Sequence, residues 1–299
     1  RPERERSAAV ETEPPIGRLG VVGCGQMGSG IAEVSARAGV DVVVVEEAPE
    51  AARAGRERLE RSLARAAKAG KLTQAEAEAA LGRIALTTEL EALGGSELVI
   101  EAIVEDEAAK RALFQRLDAA VGDAAILASN TSSIPIARLA NATARPEAVV
   151  GLHFFNPVPV LPLVELVRSL STSPTTAARA RAFAEGQLDK HVIDAPDRAG
   201  FIVNALLVPY LLSAIRMVEA GLASPEDVDT GMTKGCAHPI GPLALVDLIG
   251  LDTTLAVAES LHAELADPAS APPPLLRRMV DAGRLGRKSG QGFFVYPKA

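Results

Sequence analysis

Cysteine is scarce in this chain: Cys24 and Cys236 are the only two among 299 residues. Two thiols cannot build a disulfide framework, and although His238 follows Cys236 closely, no second ligand pair completes a metal site. The reading is a protein without metal in a reduced compartment, the cytoplasm. Excess positive charge is missing too, with 31 Lys and Arg against 38 Asp and Glu and a formal net charge of −7. Phosphate backbones are held by Lys and Arg, so this balance excludes nucleic-acid binding through bulk charge. The opening residues, Arg1-Pro2-Glu3-Arg4-Glu5-Arg6, lack the apolar stretch of a signal peptide, and residues 1–16 are expected to form a disordered, solvated tail. Residues 201–212 make the longest apolar run, but Asn204 and Pro209 interrupt it and it falls short of the ~20 residues that cross a bilayer. No membrane partner is expected.

What is present suffices for two cores, since single cores stop growing near ~250–300 residues. Leu19-Gly20-Val21-Val22 reads as a strand, residues 27–38 as a helix with Met27, Ile31, Val34 and Ala38 on one face, and residues 40–46 as a second strand. The run Val42-Val43-Val44-Val45 suits a parallel strand buried on both faces. Pro49 opens a long helix to about Lys68, and Thr73 with Glu76 forms a capping box for another. Strand-like residues 97–102, 125–129 and 149–155 then alternate with helical stretches such as 107–121, which implies a mostly parallel sheet covered on both sides. After Asp197 the pattern changes to helices over 201–220, 225–234, 250–265 and 275–282, with Phe293-Phe294-Val295-Tyr296 as the one late strand-like piece. The expected fold is therefore α/β, a Rossmann-type doubly wound sheet over residues 17–197 followed by an all-α domain over 198–299.

Gly23-Cys24-Gly25-Gln26-Met27-Gly28 fits G-x-G-x-x-G between a strand and a helix start. Glycine there lets the backbone turn tightly and approach a pyrophosphate, whose charge is met by helix N-terminal N–H groups. A glycine turn beside a surface acid accounts for the same letters, but Glu46 closes the second strand about 20 residues on, where a carboxylate accepts hydrogen bonds from an adenosine ribose. That carboxylate, with Glu47 beside it, repels a 2′-phosphate and so favours NAD over NADP.

Four further segments stand out: Ser129-Asn130-Thr131-Ser132-Ser133, His153-Phe154-Phe155-Asn156-Pro157, Leu163-Val164-Glu165-Leu166, and Gly200-Phe201-Ile202-Val203-Asn204. Singly each has a plain structural reading. His153 suits a core or cap position, and Ser132 suits the cap of a helix over 134–140. Glu165 among apolar residues must be paired or protonated. Jointly they suit alcohol oxidation by hydride transfer, where a histidine accepts the hydroxyl proton, a carboxylate orients it, and neutral Ser and Asn donors fix the substrate oxygen.

The chain resembles the L-3-hydroxyacyl-CoA dehydrogenase family, and within it the 3-hydroxybutyryl-CoA dehydrogenases. The likeness runs from Gly20 to Tyr296 through the glycine loop, Glu101-Ala102-Ile103-Val104-Glu105, the four segments above, Leu206-Leu207-Val208-Pro209-Tyr210 and Gly290-Gln291-Gly292-Phe293. It implies His153 as general base, Glu165 as its partner, and Ser132 and Asn204 at the substrate oxygens. For NAD it implies the glycine-loop residues Gly23, Gly25, Gln26, Met27 and Gly28, Glu46 at the ribose, and Glu105, Lys110 and Asn130 near the nicotinamide half. Ser62 and Lys68 resemble the region that meets coenzyme A, although Lys68 also suits a solvated helix face. The resemblance further implies an acyl-CoA substrate, a place in fatty acid metabolism and a homodimer through the helical domain. Pro162, Ala199, Ala205 and Glu46 depart from the usual Lys, Pro, Arg and Asp. None of these removes a proposed catalytic group, but Pro162 leaves room for 3-hydroxyadipyl-CoA or a hydroxyacyl unit on an acyl carrier protein. The same superfamily adds a free sugar-acid substrate, and a non-catalytic relative that kept the fold is a further reading, against which the joint presence of His153, Glu165, Ser132 and Asn204 argues.

Overall fold

The computed structural model describes residues 15–297. The chain divides into two compact units, one made of the residues up to Thr131 with Ile136–Ala195, the other of Ser132–Pro135 with the residues from Pro196 on. The short segment Ser132–Pro135 thus leaves the sheet unit, in which the sequence reading had kept it.

The first unit runs β1 (Arg18–Val22), α1 (Gln26–Arg37), β2 (Asp41–Val45), α2 (Pro49–Lys68), α3 (Gln74–Gly82), β3 (Ile84–Thr87), β4 (Leu98–Glu101), α4 (Glu107–Ala120), β5 (Ile126–Ser129), α5 (Ile136–Ala140), β6 (Val149–Phe154), β7 (Leu163–Arg168), α6 (Pro174–Ala182) and β8 (His191–Pro196). Among the described residues the strands form one sheet in the order β3-β2-β1-β4-β5-β6-β7-β8. The pairs from β3 through to β6 are parallel, and β7 turns back antiparallel on β6. The order reverses between β1 and β4, and ligands of such sheets bind in the crevice at the strand ends beside that reversal. Val42 to Val45 are buried, as a strand covered on both faces requires. The capping box is formed: Glu76 donates its N–H to Thr73 Oγ1 (3.2 Å) and accepts the Thr73 N–H on Oε2 (2.7 Å).

Three strands escaped the sequence reading. β3 and β8 are short or only partly buried, and β7 is broken in pattern by the buried Glu165. The expected tail over 1–16 also ends differently. Residues 1–14 lie outside the described residues, but Ile16 is 3% exposed and is gripped by Gln187, whose Oε1 accepts its N–H (2.8 Å) and whose Nε2 donates to its carbonyl (3.0 Å).

The second unit holds α7 (Val203–Glu219), α8 (Pro225–Thr230), α9 (Pro242–Ile249), α10 (Leu251–Leu265) and α11 (Pro274–Asp281), packed on Leu211, Ile215, Leu243, Val246, Leu261 and Leu276. The helix expected to Lys234 stops at Thr230 and passes into a π-helical turn. Phe293 to Tyr296 form no strand, only isolated bridges. Buried Asp247 supplies the reason: it accepts the Phe293 and Phe294 N–H groups (both 2.9 Å), donors that a ladder would otherwise use, and it also accepts the Tyr296 hydroxyl (3.0 Å). Among the described residues no helix is long and apolar enough to cross a membrane.

Candidate active site

The glycine loop is built as the fingerprint demands. Gly23 has φ +92, and a Cβ there would meet the Ala102 carbonyl oxygen at 2.6 Å, so this position admits glycine alone and sets the ends of β1 and β4 side by side. A Cβ on Gly28 would lie 1.8 Å from the Gly23 oxygen, which fixes the close packing of α1 on the turn. Gly25 has nothing within 4 Å of its missing Cβ and is the N-cap of α1, with no side-chain cap bond and no acid in the first turn. The first N–H groups of α1 therefore meet no anionic side chain of their own helix, and the backbone leaves room for a pyrophosphate. Gln26 is exposed beside the loop, and Met27 is half-buried against the core.

Glu46 follows β2, and its carboxylate accepts the Cys24 N–H. Arg58, from α2, donates Nη1 to the Cys24 carbonyl (2.6 Å), so both polar groups of that residue are held. The Cys24 thiol is buried against Gly55, and burial, aided by the Glu46 charge, pushes it up to about 11. Beside the loop lies a cavity of about 590 Å³ lined by Gly23, Glu46, Glu47, Ala102, Val104 and Leu113 among others. Two acids at its wall suit the ribose hydroxyls of an adenosine and oppose an added phosphate. Arg53 pairs instead with Glu50 on the exposed face of α2 (2.9 Å). These residues fit a dinucleotide.

At the ends of β4 and β5 the structure gathers a buried charged cluster. Glu101 accepts hydrogen bonds from Lys110 Nζ (2.5 Å), Ser129 Oγ (2.6 Å) and its own turn at the Ile103 N–H (2.8 Å). Lys110 also pairs with Glu105 Oε2 (3.2 Å), and Glu105 Oε1 accepts from Thr131 Oγ1 (2.6 Å). Glu105 and Lys110 are thus brought together, and Glu101, Ser129 and Thr131 complete a group in which sequence reasoning had assigned them no part. The signal was there: Glu101 closes the otherwise apolar Leu98-Val99-Ile100 strand, where a carboxylate needs a partner. Asn130 is buried, and its Oδ1 accepts the Phe154 N–H (2.9 Å), the residue after His153.

His153 and Glu165 stand directly opposite each other in the β6–β7 register. Cross-strand neighbours of this kind share one face of the sheet. His153 Nδ1 donates to Glu165 Oε2 at 2.7 Å, and the two side chains are 7% and 0% exposed. Phe155 packs on the imidazole with ring centroids 4.5 Å apart. A histidine so held is fixed in orientation through its Nδ1.

Ser62 lines a smaller cavity of about 190 Å³ with Gln26, Arg58, Arg65 and Asn156, while Lys68 is exposed on the last turn of α2 and is not among the lining residues. Ser132 and Asn204 belong to the second unit, where both are half-buried and Asn204 is in the first turn of α7. Helix α5 begins only at Ile136, so Ser132 is not its cap.

Comparison with known proteins gives two family models. One, described as 3-hydroxyacyl-CoA dehydrogenase, NAD binding domain, matches residues 18–198; the other, described as 3-hydroxyacyl-CoA dehydrogenase, C-terminal domain, matches residues 200–296. The 3-hydroxybutyryl-CoA dehydrogenase of Mycobacterium tuberculosis is 60% identical over 282 residues, 94% of this chain and 99% of that protein. Human mitochondrial hydroxyacyl-coenzyme A dehydrogenase is 42% identical over 283 residues, 92% of this chain and 90% of that protein. The crystal structure of (S)-3-hydroxybutyryl-CoA dehydrogenase from Ralstonia eutropha is similar with a TM-score of 0.88 and 48% identity, covering 95% of this chain and 100% of that one.

Proposed function

The chain belongs to the 3-hydroxyacyl-CoA dehydrogenase family, and from that premise we propose that it interconverts a short-chain L-3-hydroxyacyl-CoA, such as 3-hydroxybutyryl-CoA, with the 3-oxoacyl-CoA. NAD is its cofactor and, when bound, takes up the hydride that leaves C3. His153 accepts the C3 hydroxyl proton on Nε2, since its Nδ1–H is committed to Glu165. The Glu165 carboxylate then faces the imidazolium and offsets its charge. Ser132 and Asn204 hold the substrate oxygens, and Ser62 and Lys68 meet the coenzyme A portion. Glu46 binds the adenosine ribose, with Glu105, Lys110 and Asn130 at the nicotinamide half. The sheet unit carries the dinucleotide.

The observation that carries this reading is the buried His153–Glu165 pair at 2.7 Å, a proton acceptor with its orienting acid. The experiment is NADH oxidation with acetoacetyl-CoA, for which saturable turnover is expected. Turnover only with a dicarboxylic or carrier-bound 3-oxoacyl thioester would move the substrate to those classes. No turnover with any of them would overturn the enzymatic reading in favour of a non-catalytic dinucleotide-binding protein.

Self-association through the helical unit and a cytoplasmic role in fatty acid metabolism belong to the same proposal. Exposed Leu206, Met217, Leu222 and Leu248 and an apolar cavity of about 360 Å³ at Tyr210, Met217, Val228 and Met232 support the first, since self-association lowers exposed apolar surface. Sedimentation at the mass of two chains is the expected result.

A further inference from the structure

Glu101 is 0% exposed and Lys110 is 1% exposed, so this ion pair has left water entirely. Buried pairs of this kind are weak contributors to stability, and well-packed apolar residues often serve the fold as well or better. Its placement calls for another reason. Glu101 is the last residue of β4, paired in register with Val22 of β1 and Ser129 of β5, at the strand ends where the sheet order reverses. Every contact it makes is one in which it accepts, as an ionised carboxylate does. The Thr131 N–H donates to Ser129 Oγ (3.1 Å), which turns the serine's own proton toward Glu101. From this anchor the charges alternate outward, through the Lys110 ammonium to Glu105, whose side chain is 29% exposed.

We propose that Glu101 is a positioning residue for the dehydrogenase reaction, which fixes the Lys110 ammonium and, with Glu105, sets a net charge of one negative unit that favours the oxidised over the reduced nicotinamide. This rests on the reading that Glu105 and Lys110 face the nicotinamide half. Two carboxylates and one ammonium leave one negative charge, and the nicotinamide ring carries a positive charge when oxidised and none when reduced. The cluster therefore attracts the oxidised ring and is indifferent to the reduced one. Glu101 has no part in proton or hydride transfer; it acts through Lys110 and through the charge balance.

The test is the ratio of dissociation constants, Kd(NAD+)/Kd(NADH), by NADH fluorescence and competition with NAD+. Glu101→Gln, close to isosteric, neutralises the cluster, and the ratio should rise several-fold to about tenfold, the size of one unit charge acting across a partly screened interior. Simple loosening would weaken both ligands alike. In Glu101→Gln with Lys110→Met, Glu105 alone restores one negative charge, so the ratio should return to the wild-type value while both affinities stay low. Glu101→Asp keeps the charge and guards against failure of the neutral variant to fold: its ratio should be wild type, with both dissociation constants raised. An unchanged ratio in folded Glu101→Gln, a shifted ratio in the double variant, or wild-type affinities in Glu101→Asp would each overturn the proposal. Wild-type affinity for both ligands in Lys110→Met would instead remove the underlying placement of Lys110, and the proposal with it.

Discussion

The two halves of the sheet position acids by different means. On the antiparallel side, β6 and β7 set His153 and Glu165 face to face through strand register, so the pair needs nothing beyond correct pairing of two strands. On the parallel side the acids come from strand ends, Glu46 just past β2 and Glu101 at the close of β4, and each is held by a backbone N–H, that of Cys24 in the glycine loop for one and that of Ile103 in its own turn for the other. The partners differ in kind as well. Glu165 faces an imidazole, which exchanges protons near neutrality, whereas Glu101 faces an ammonium, a hydroxyl and an amide, which do not. On the proposed reading, one side moves a proton and the other holds a charge still.

The sharpest way to break this contrast is at the antiparallel pair. His153→Gln should lower kcat by about 1,000-fold or more while leaving NADH binding near wild type, because only the proton acceptor is lost. Near-normal turnover by stopped-flow would dismiss His153 as the base. On the parallel side, the thiol held within the glycine loop should be silent: at neutral pH, alkylation of Cys24 should trail that of exposed Cys236 by at least about 100-fold, with the gap narrowing as pH nears 11. Peptide mass spectrometry would read this, and equal labelling would mean that the loop is not clamped as described. Glu46→Ala should shift the kcat/KM ratio of NAD to NADP about tenfold toward NADP, since one unit of repulsion is removed. A constant ratio would put the ribose elsewhere. The smallest effect belongs to a helix cap that takes part in neither site. Thr73→Ala should lower the melting temperature by about 2 °C at pH 7, the usual worth of a helix cap in a protein of this size. The Thr73 N–H and hydroxyl hold the Glu76 carboxyl below its ordinary range. That contribution is present above the ordinary carboxylate range and is lost as pH falls through the lowered value, so the difference between variants should shrink in acid.

Much of this was legible in the residues. The βαβ start, the long helix from Pro49 and the Thr73 cap depend on local pattern, and each formed within a residue or two of expectation. The strand expected at Phe293 failed because Asp247, 46 residues away in sequence, takes its N–H donors. The end of the expected tail failed for a similar reason, since Ile16 is tied to Gln187 across 171 residues. Glu101 was visible as a letter in a motif, but its role depends on Ser129 and Lys110 arriving beside it from two other elements.

The sequence alone determined where strands alternate with helices, which loop must be glycine, and which side chains can ionise, because periodicity, positive φ and ionisable groups are properties of residues and their near neighbours. The tertiary structure alone decided that β7 runs back along β6 and so sets Glu165 against His153, and that one buried carboxylate closes a circuit among three elements. Such meetings depend on strand order and register, which are fixed by packing across the whole sheet.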